Sequence, residues 1–272
     1  MFKKTDLVRL QDSFDQLWSK IALGENFALF RYGDGERAIM TGRQIKGVDG
    51  WRSPDYITEL SQALNKTLAM SDSKIYQGIS CPCCDEAAYF WFKDHIKSRN
   101  ITFANLFVNI NYQKFIQEFD RLQRDTVVIA NHRAVGKKIG NLNILKYYSV
   151  TDDCFSFWDN GFNELIKQIK NDFGKVNNLF YVVSAGPLSE PIIAELFKNN
   201  PENTYIDFGS SIDKYIHDKD NRFYTNPKSK YGRRNCWMLN PNNNDSSDHK
   251  LYLKYRYYQL RLAEVFRKIF TV

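Results

Sequence analysis

Phe27-Ala28-Leu29-Phe30-Arg31-Tyr32-Gly33-Asp34-Gly35-Glu36 is the stretch on which the fold turns. Its run of apolar residues reads as a strand buried on both faces, the habit of parallel sheets. A turn built from glycine and carboxylate follows at once. Before it, Leu7, Leu10, Phe14, Leu17, Trp18 and Ile21 recur at helical spacing. After it, Ser53-Pro54 predicts a helix start, with Ser as N-cap and Pro in the first turn. Ile57, Leu60, Leu64 and Leu68 are that helix's expected buried stripe. Further strands are predicted over 74–79, 126–130, 145–150, 179–184 and 204–208. Helices are predicted over 86–97, 110–122, 162–173 and 187–199. Alternation of this kind gives an α/β fold, a largely parallel sheet flanked by helices.

The whole of 1–272 reads as one domain with a core over about 20–217. The stretch 218–249, rich in Asn, Asp, Ser and Lys, reads as a surface loop or lid. Residues 250–272 read as a C-terminal helix, basic and aromatic. Its expected place is over the core with a solvated basic face, though such a helix also suits an anionic membrane surface or a second copy of the chain.

Composition excludes several classes. With 43% hydrophobic and 25% charged residues, disorder and collagen are ruled out. No run of about 18 apolar residues occurs, so a transmembrane helix is not expected. The opening Met1-Phe2-Lys3-Lys4-Thr5-Asp6 leads into an amphipathic stretch, so a secretory signal is not expected either. The expected location is cytoplasmic, with room for contact at the inner face of a membrane. Five cysteines, an odd and clustered set, fit reduced thiols. Cys81-Pro82-Cys83-Cys84 lacks the spacing of the usual paired zinc ligands and has only His95 nearby in sequence. Small buried thiols are therefore the expectation. A net charge of +7 favours an anionic partner without choosing one.

In parallel sheets, ligands bind at the carboxyl ends of the strands. The segments that follow each strand should therefore share a rim. Asp34 and Glu36 flank one glycine, and such a pair can hold a hard divalent cation, Mn2+ or Mg2+, with Gly33 and Gly35 freeing the backbone. The same residues also make an ordinary solvated turn. Arg31 stands beside them. Arg133, Lys137 and Lys138 around Gly136 resemble a phosphate cradle or a basic surface loop. Ser184-Ala185-Gly186-Pro187 opens a helix, so Ser184 and Gly186 are candidates for a phosphate or ribose contact. His132 is a candidate general base on the same rim.

An ordered set of segments resembles the GT-D type bacterial glycosyltransferases, once grouped as a domain of unknown function. The opening motif lies within 27–40, around Gly33-Asp34-Gly35-Glu36. Asn105-Leu106-Phe107-Val108 resembles that family's Asn-x-Phe-Val segment, and 128–141 its strand and basic glycine loop. Val182-Val183-Ser184-Ala185-Gly186-Pro187 resembles its Ala-x-Gly-Pro turn. Ile206-Asp207-Phe208-Gly209 with Ile212-Asp213-Lys214-Tyr215 resembles its last block. The chain departs from the pattern at Asn109-Ile110-Asn111, at Asn131-His132 and at Ser211. The resemblance implies a Rossmann-like domain of GT-D type that takes a nucleotide-sugar, UDP-linked, with Mn2+ or Mg2+ on Asp34 and Glu36. It implies a glycan, glycolipid or glycoprotein acceptor in bacterial surface glycan biosynthesis. Arg31, Arg133, Lys137 and Lys138 would assist the leaving diphosphate, and Asp213, with His132 behind it, is the expected base.

Two other readings compete. A nucleotide-dependent phosphotransferase would want the same cation and cationic side chains, but the chain lacks a P-loop. A nucleic-acid-binding module would suit the charge, but the cations are dispersed and no RNP or helix-turn-helix pattern occurs, so no nucleic-acid partner is expected.

Overall fold

The structure is a computed structural model that describes residues 7–47, 50–217, 222–240, 258 and 262. The elements run β1 (Leu7–Arg9), α1 (Leu10–Leu23), β2 (Ala28–Arg31), α2 (Asp34–Met40), α3 (Glu59–Leu68), β3 (Ile75–Ile79), α4 (Glu86–His95) and β4 (Ile101–Phe103). Then come α5 (Tyr112–Phe119), β5 (Asp125–Asn131), β6 (Asn143–Val150), α6 (Cys154–Asn160), α7 (Phe162–Phe173), β7 (Phe180–Ser184), α8 (Ser189–Asn199), β8 (Thr204–Asp207), α9 (Asp213–Ile216) and β9 (Trp237–Leu239).

Seven strands form one sheet in the order β4-β3-β2-β8-β7-β5-β6. Every pairing in it is parallel. The expected α/β, Rossmann-like sheet flanked by helices is what the chain forms. Because β2 lies beside β8, the segments after them leave the sheet next to each other, and a cleft opens there.

Side chains alternate between two cores, one on each face of the sheet. Ala28 and Phe30 of β2, Val127 and Ile129 of β5, and Tyr181 and Val183 of β7 pack toward α2, α3, α4, α7 and α8. Leu29, Val128, Ala130, Phe180 and Val182 face the other way, toward α1 and α5. That second core is aromatic: Phe208 lies 4.8 Å from Phe107 and 5.2 Å from Phe119, centroid to centroid. Strands buried on both faces explain the unbroken apolar runs of the sequence.

The helix expected from Ser53 starts later, at Glu59. The Ser53 hydroxyl is buried and ties its own loop, donating to the Arg43 carbonyl at 2.7 Å and accepting from the Ile45 N–H at 2.8 Å. Thr58 and Ser61 cap the helix instead, each side chain meeting the other's backbone N–H. Ile57 thus precedes the helix and is half exposed, while Leu60, Leu64 and Leu68 form the buried stripe as expected. Thr58→Ala should lower stability by about 1 kcal/mol, read from the urea midpoint, because one helix-end donor loses its acceptor.

Part of the 218–249 stretch is not loop. Trp237–Leu239 pairs antiparallel with Leu7–Arg9, and all three of its residues are buried. The expected C-terminal helix lies outside the described residues except for Tyr258 and Leu262, both helical. Among the described residues no helix is long and apolar enough to cross a membrane.

Candidate active site

The cleft at the carboxyl ends of β2, β5, β7 and β8 has a volume of about 250 Å³. Arg31, Gly33 and Glu36 line it from the segment after β2, and Asn131, Arg133 and Asp152 from the segments after β5 and β6. Ser184 and Gly186 line it after β7, and Asp207, Gly209 and Asp213 after β8. Trp51 and Arg222 complete the wall. A wider groove, about 790 Å³, lies between α3, α7 and α8, away from the strand ends.

Arg31 ends β2 with a guanidinium that is only 11% exposed. Its Nε lies 3.5 Å from Asp207 Oδ2, and its charged end sits 5.5 Å from the centre of the Phe107 ring. Nε and Nη1 are buried without a hydrogen-bond acceptor. Beneath it lies Glu190, 1% exposed, whose Oε1 accepts from the Arg31 N–H at 3.3 Å. Glu190 Oε2 is buried without a donor. Burial, then Asp207 and Glu36 nearby, push the Glu190 carboxyl well above the ordinary carboxylate range. Asp207 is also raised by burial, with Arg31 pulling the other way.

Glu36 sits in the first turn of α2 and accepts from the Gly33 N–H at 2.8 Å. Burial is the main cause that lifts its carboxyl from 4.5 to about 7, and Asp207 and Asp34 add to the rise. A carboxylate crowded by others in a buried cleft is held back from ionising, and a cation would relieve it. Glu36, Asp207 and Asp213 line the cleft and offer hard carboxylate oxygens of the kind that suit Mn2+ or Mg2+, whereas Asp34 and Glu190 do not line it. The chemistry of these donors suits such an ion, although among the described residues no three of them gather around one point.

Gly209 follows β8 with φ +46°, and a Cβ there would stand 2.9 Å from Arg31 Nη2. Glycine is required twice over, by conformation and by the space the guanidinium fills. Gly209→Ala should cost about 1–3 kcal/mol by urea unfolding and displace Arg31. The Gly209 N–H donates to Asp207 Oδ1 at 3.0 Å, and its carbonyl accepts from Ser184 Oγ at 3.1 Å. Asp213, buried, pairs with Arg222 Nε at 3.0 Å and lies 3.8 Å from His217 Nε2.

The predicted site residues are divided by this geometry. Arg31, Gly33, Glu36, Arg133, Ser184, Gly186 and Asp213 lie on the cleft wall. Asp34, exposed at the start of α2, does not line it, nor do Gly35, His132, Lys137 and Lys138. Gly35 instead lies beside the Trp51 ring, which a Cβ there would meet at 3.7 Å, an ordinary van der Waals contact. His132 and Lys138 are exposed, and Lys137 Nζ donates to the Ile216 carbonyl at 2.7 Å. Arg133 forks onto Asp152, at 2.8 and 2.7 Å, and holds that carboxyl below its ordinary value. Glu190, Asp207, Asp152, Trp51 and Arg222 were not singled out as site residues by sequence. The Asp-x-Gly turn at 207–209 is the one signal that points to any of them.

No protein-family model matches the chain, and no curated protein matches it. Three solved structures do resemble it. One is described as showing that the highly conserved domain of unknown function 1792 has a distinct glycosyltransferase fold, with TM-score 0.50, 15% identity, and coverage of 76% of this chain and 78% of that one. A second is described as a new glycosyltransferase (DUF1792) from Streptococcus sanguinis, with TM-score 0.50, 14% identity, and coverage of 76% and 82%. A third, a selenomethionine-substituted structure of the same domain, has TM-score 0.51, 14% identity, and coverage of 89% and 91%. By architecture, then, the chain carries the glycosyltransferase fold described for domain of unknown function 1792.

Proposed function

We propose that the chain is a glycosyltransferase that takes a sugar from a nucleotide-sugar, UDP-linked, with a divalent cation. The observation that carries this reading is the convergence of Arg31, Glu36, Asp207, Gly209 and Asp213 in one cleft at the β2–β8 strand ends. The fold likeness supports it, and so does the ordered set of motifs in the sequence. Glycosyl transfer breaks the bond between the anomeric carbon and the diphosphate, and negative charge develops on the leaving oxygen. Mn2+ or Mg2+, when bound, supplies charge neutralisation for that diphosphate.

Glu36 would hold the ion from the cleft wall, and Asp34, exposed at the start of α2, would be the second carboxylate of the Asp-x-Glu pair. Arg31 lends a fixed positive charge whose position is set by Asp207 and Gly209 before substrate arrives. Trp51 offers an aromatic wall for a base or sugar ring. Asp213 is the leading candidate to accept the acceptor's hydroxyl proton, since it lies on the cleft wall and His132 does not. The acceptor is a glycan, a glycolipid or a glycoprotein of a bacterial surface.

A thermal-shift panel tests the reading. UDP-sugars with Mn2+ should raise the melting temperature, and each alone should raise it less. ATP with Mg2+ raising it instead would favour a phosphotransferase and overturn the proposal.

A further inference from the structure

Four cysteines from distant parts of the chain meet beside the cleft-forming segments. Cys81, Cys83 and Cys84 stand between β3 and α4, and Cys236 immediately precedes β9. Their four sulfurs all lie within 4.8 Å of one another. Cys81 and Cys83 are 3.2 Å apart and Cys84 and Cys236 3.5 Å apart, sulfur to sulfur. None is bonded to another.

Geometry narrows the meaning of this cluster. Four sulfurs bound at about 2.3 Å to one tetrahedral ion stand about 3.8 Å apart. The two closest pairs here, 3.2 and 3.5 Å, fall a little short of that value, and no pair exceeds 4.8 Å. A cluster of several irons needs its thiolates spread around a larger body. Hydrophobic packing does not account for the group either, since Cys84 is exposed and Cys83 only half-buried.

The surroundings suit thiolates. Asn105 Nδ2 donates to Cys236 Sγ at 3.3 Å, and Arg234 Nη1 to Cys84 Sγ at 3.6 Å. The backbone N–H groups of Cys84 and Asp85 both donate to the Cys81 carbonyl, at 3.1 and 3.0 Å. That tight turn gathers three sulfurs on one side, where the fourth arrives from 152 residues away.

We propose that Cys81, Cys83, Cys84 and Cys236 bind one zinc ion as a closed tetrathiolate site. Four protein ligands leave no open position, so the ion is structural. It fastens the segment 222–236 to the sheet. Hydrogen bonds also tie that segment down, among them the Asn109 N–H to the Tyr224 carbonyl at 3.0 Å, the Ile110 N–H to the Arg234 carbonyl at 3.2 Å and the Leu10 N–H to the Cys236 carbonyl at 2.9 Å. The same segment delivers Arg222 to Asp213. The ion thereby fixes one wall of the cleft without touching substrate.

The test uses the full chain, expressed with zinc in the medium and purified without chelator. Elemental analysis should find close to one zinc per chain, released when a mercurial blocks the thiols. Exchange with Co2+ should give the intense visible bands and the sulfur charge-transfer bands of a tetrahedral tetrathiolate. Cys83→Ser and Cys84→Ser, both at the accessible side, should lower zinc content several-fold and lower the melting temperature. Because the metal and Co2+ measurements need no variant, a misfolded mutant does not blunt the test. Two disulfides by intact mass, four reactive thiols with no metal, or iron in place of zinc would each overturn the proposal. Zinc content is independent of nucleotide binding, so this inference and the proposed function can fail separately.

Discussion

Glu36→Gln should reduce sugar transfer by about 100-fold or more while leaving the protein folded and, at pH 8, more stable than the parent. The two halves of this expectation have one cause. The Glu36 carboxyl is raised from 4.5 to about 7, chiefly by burial. Between those values the folded protein keeps a proton that the unfolded chain has already lost. Stability of the parent therefore falls as pH rises from about 4.5 to about 7, by up to about 3 kcal/mol for this group. Glutamine does not ionise and escapes that loss, and its side-chain oxygen still accepts from the Gly33 N–H. Urea unfolding at pH 5 and pH 8 checks it: the variant's advantage should appear only at the higher pH. Mn2+ should stabilise the parent at pH 8 and not the variant. A variant equally weakened at both pH values would show that Glu36 serves only as a helix cap.

Arg31→Ala should cost about 3–5 kcal/mol at pH 8, the penalty for removing one partner of a buried ionic group. Its guanidinium is the cation beside the Asp207 carboxyl, 3.5 Å away, while its backbone N–H donates to Glu190. The cost should shrink at pH 5. Burial already favours the protonated form of Asp207, and without the Arg31 charge its carboxyl rises further, so the folded state takes up a proton instead of holding bare charge. Arg31→Lys keeps a charge but not the planar fork, and should fall between the two. Urea unfolding at both pH values provides the measurement. A loss under about 1 kcal/mol at pH 8 would mean that the acidic groups do not depend on Arg31.

The parallel sheet was legible because its strands are buried on both faces, which leaves unbroken apolar runs such as 126–130 and 179–183. The short pair at Leu7–Arg9 and Trp237–Leu239 was not, because three residues give no period to read and the partners lie at opposite ends of the sequence. Ser53 misled for a physical reason: a hydroxyl that can cap a helix can equally tie a loop, and here it does the second.

The site was legible only where chemistry sat in a turn. Glycines and charges after a strand identified Arg31 and Glu36 as candidates, and Asp213 came from the resemblance of its block to the family pattern. Glu190 was hidden because an acid in a helix reads as a solvated face, yet this one lies at 1% exposure beneath Arg31. The cysteine cluster was hidden by distance, since no local spacing links Cys84 to Cys236.

The central claim is that Glu36 and Arg31 form a cleft that binds a cation and a nucleoside diphosphate together. A crystal grown with Mn2+ and UDP, with anomalous data collected at the manganese edge, addresses it directly. The account predicts a manganese peak within bonding distance of the Glu36 carboxylate, with the diphosphate bridging it toward Arg31. A peak elsewhere, or UDP bound away from the β2–β8 strand ends, would contradict it.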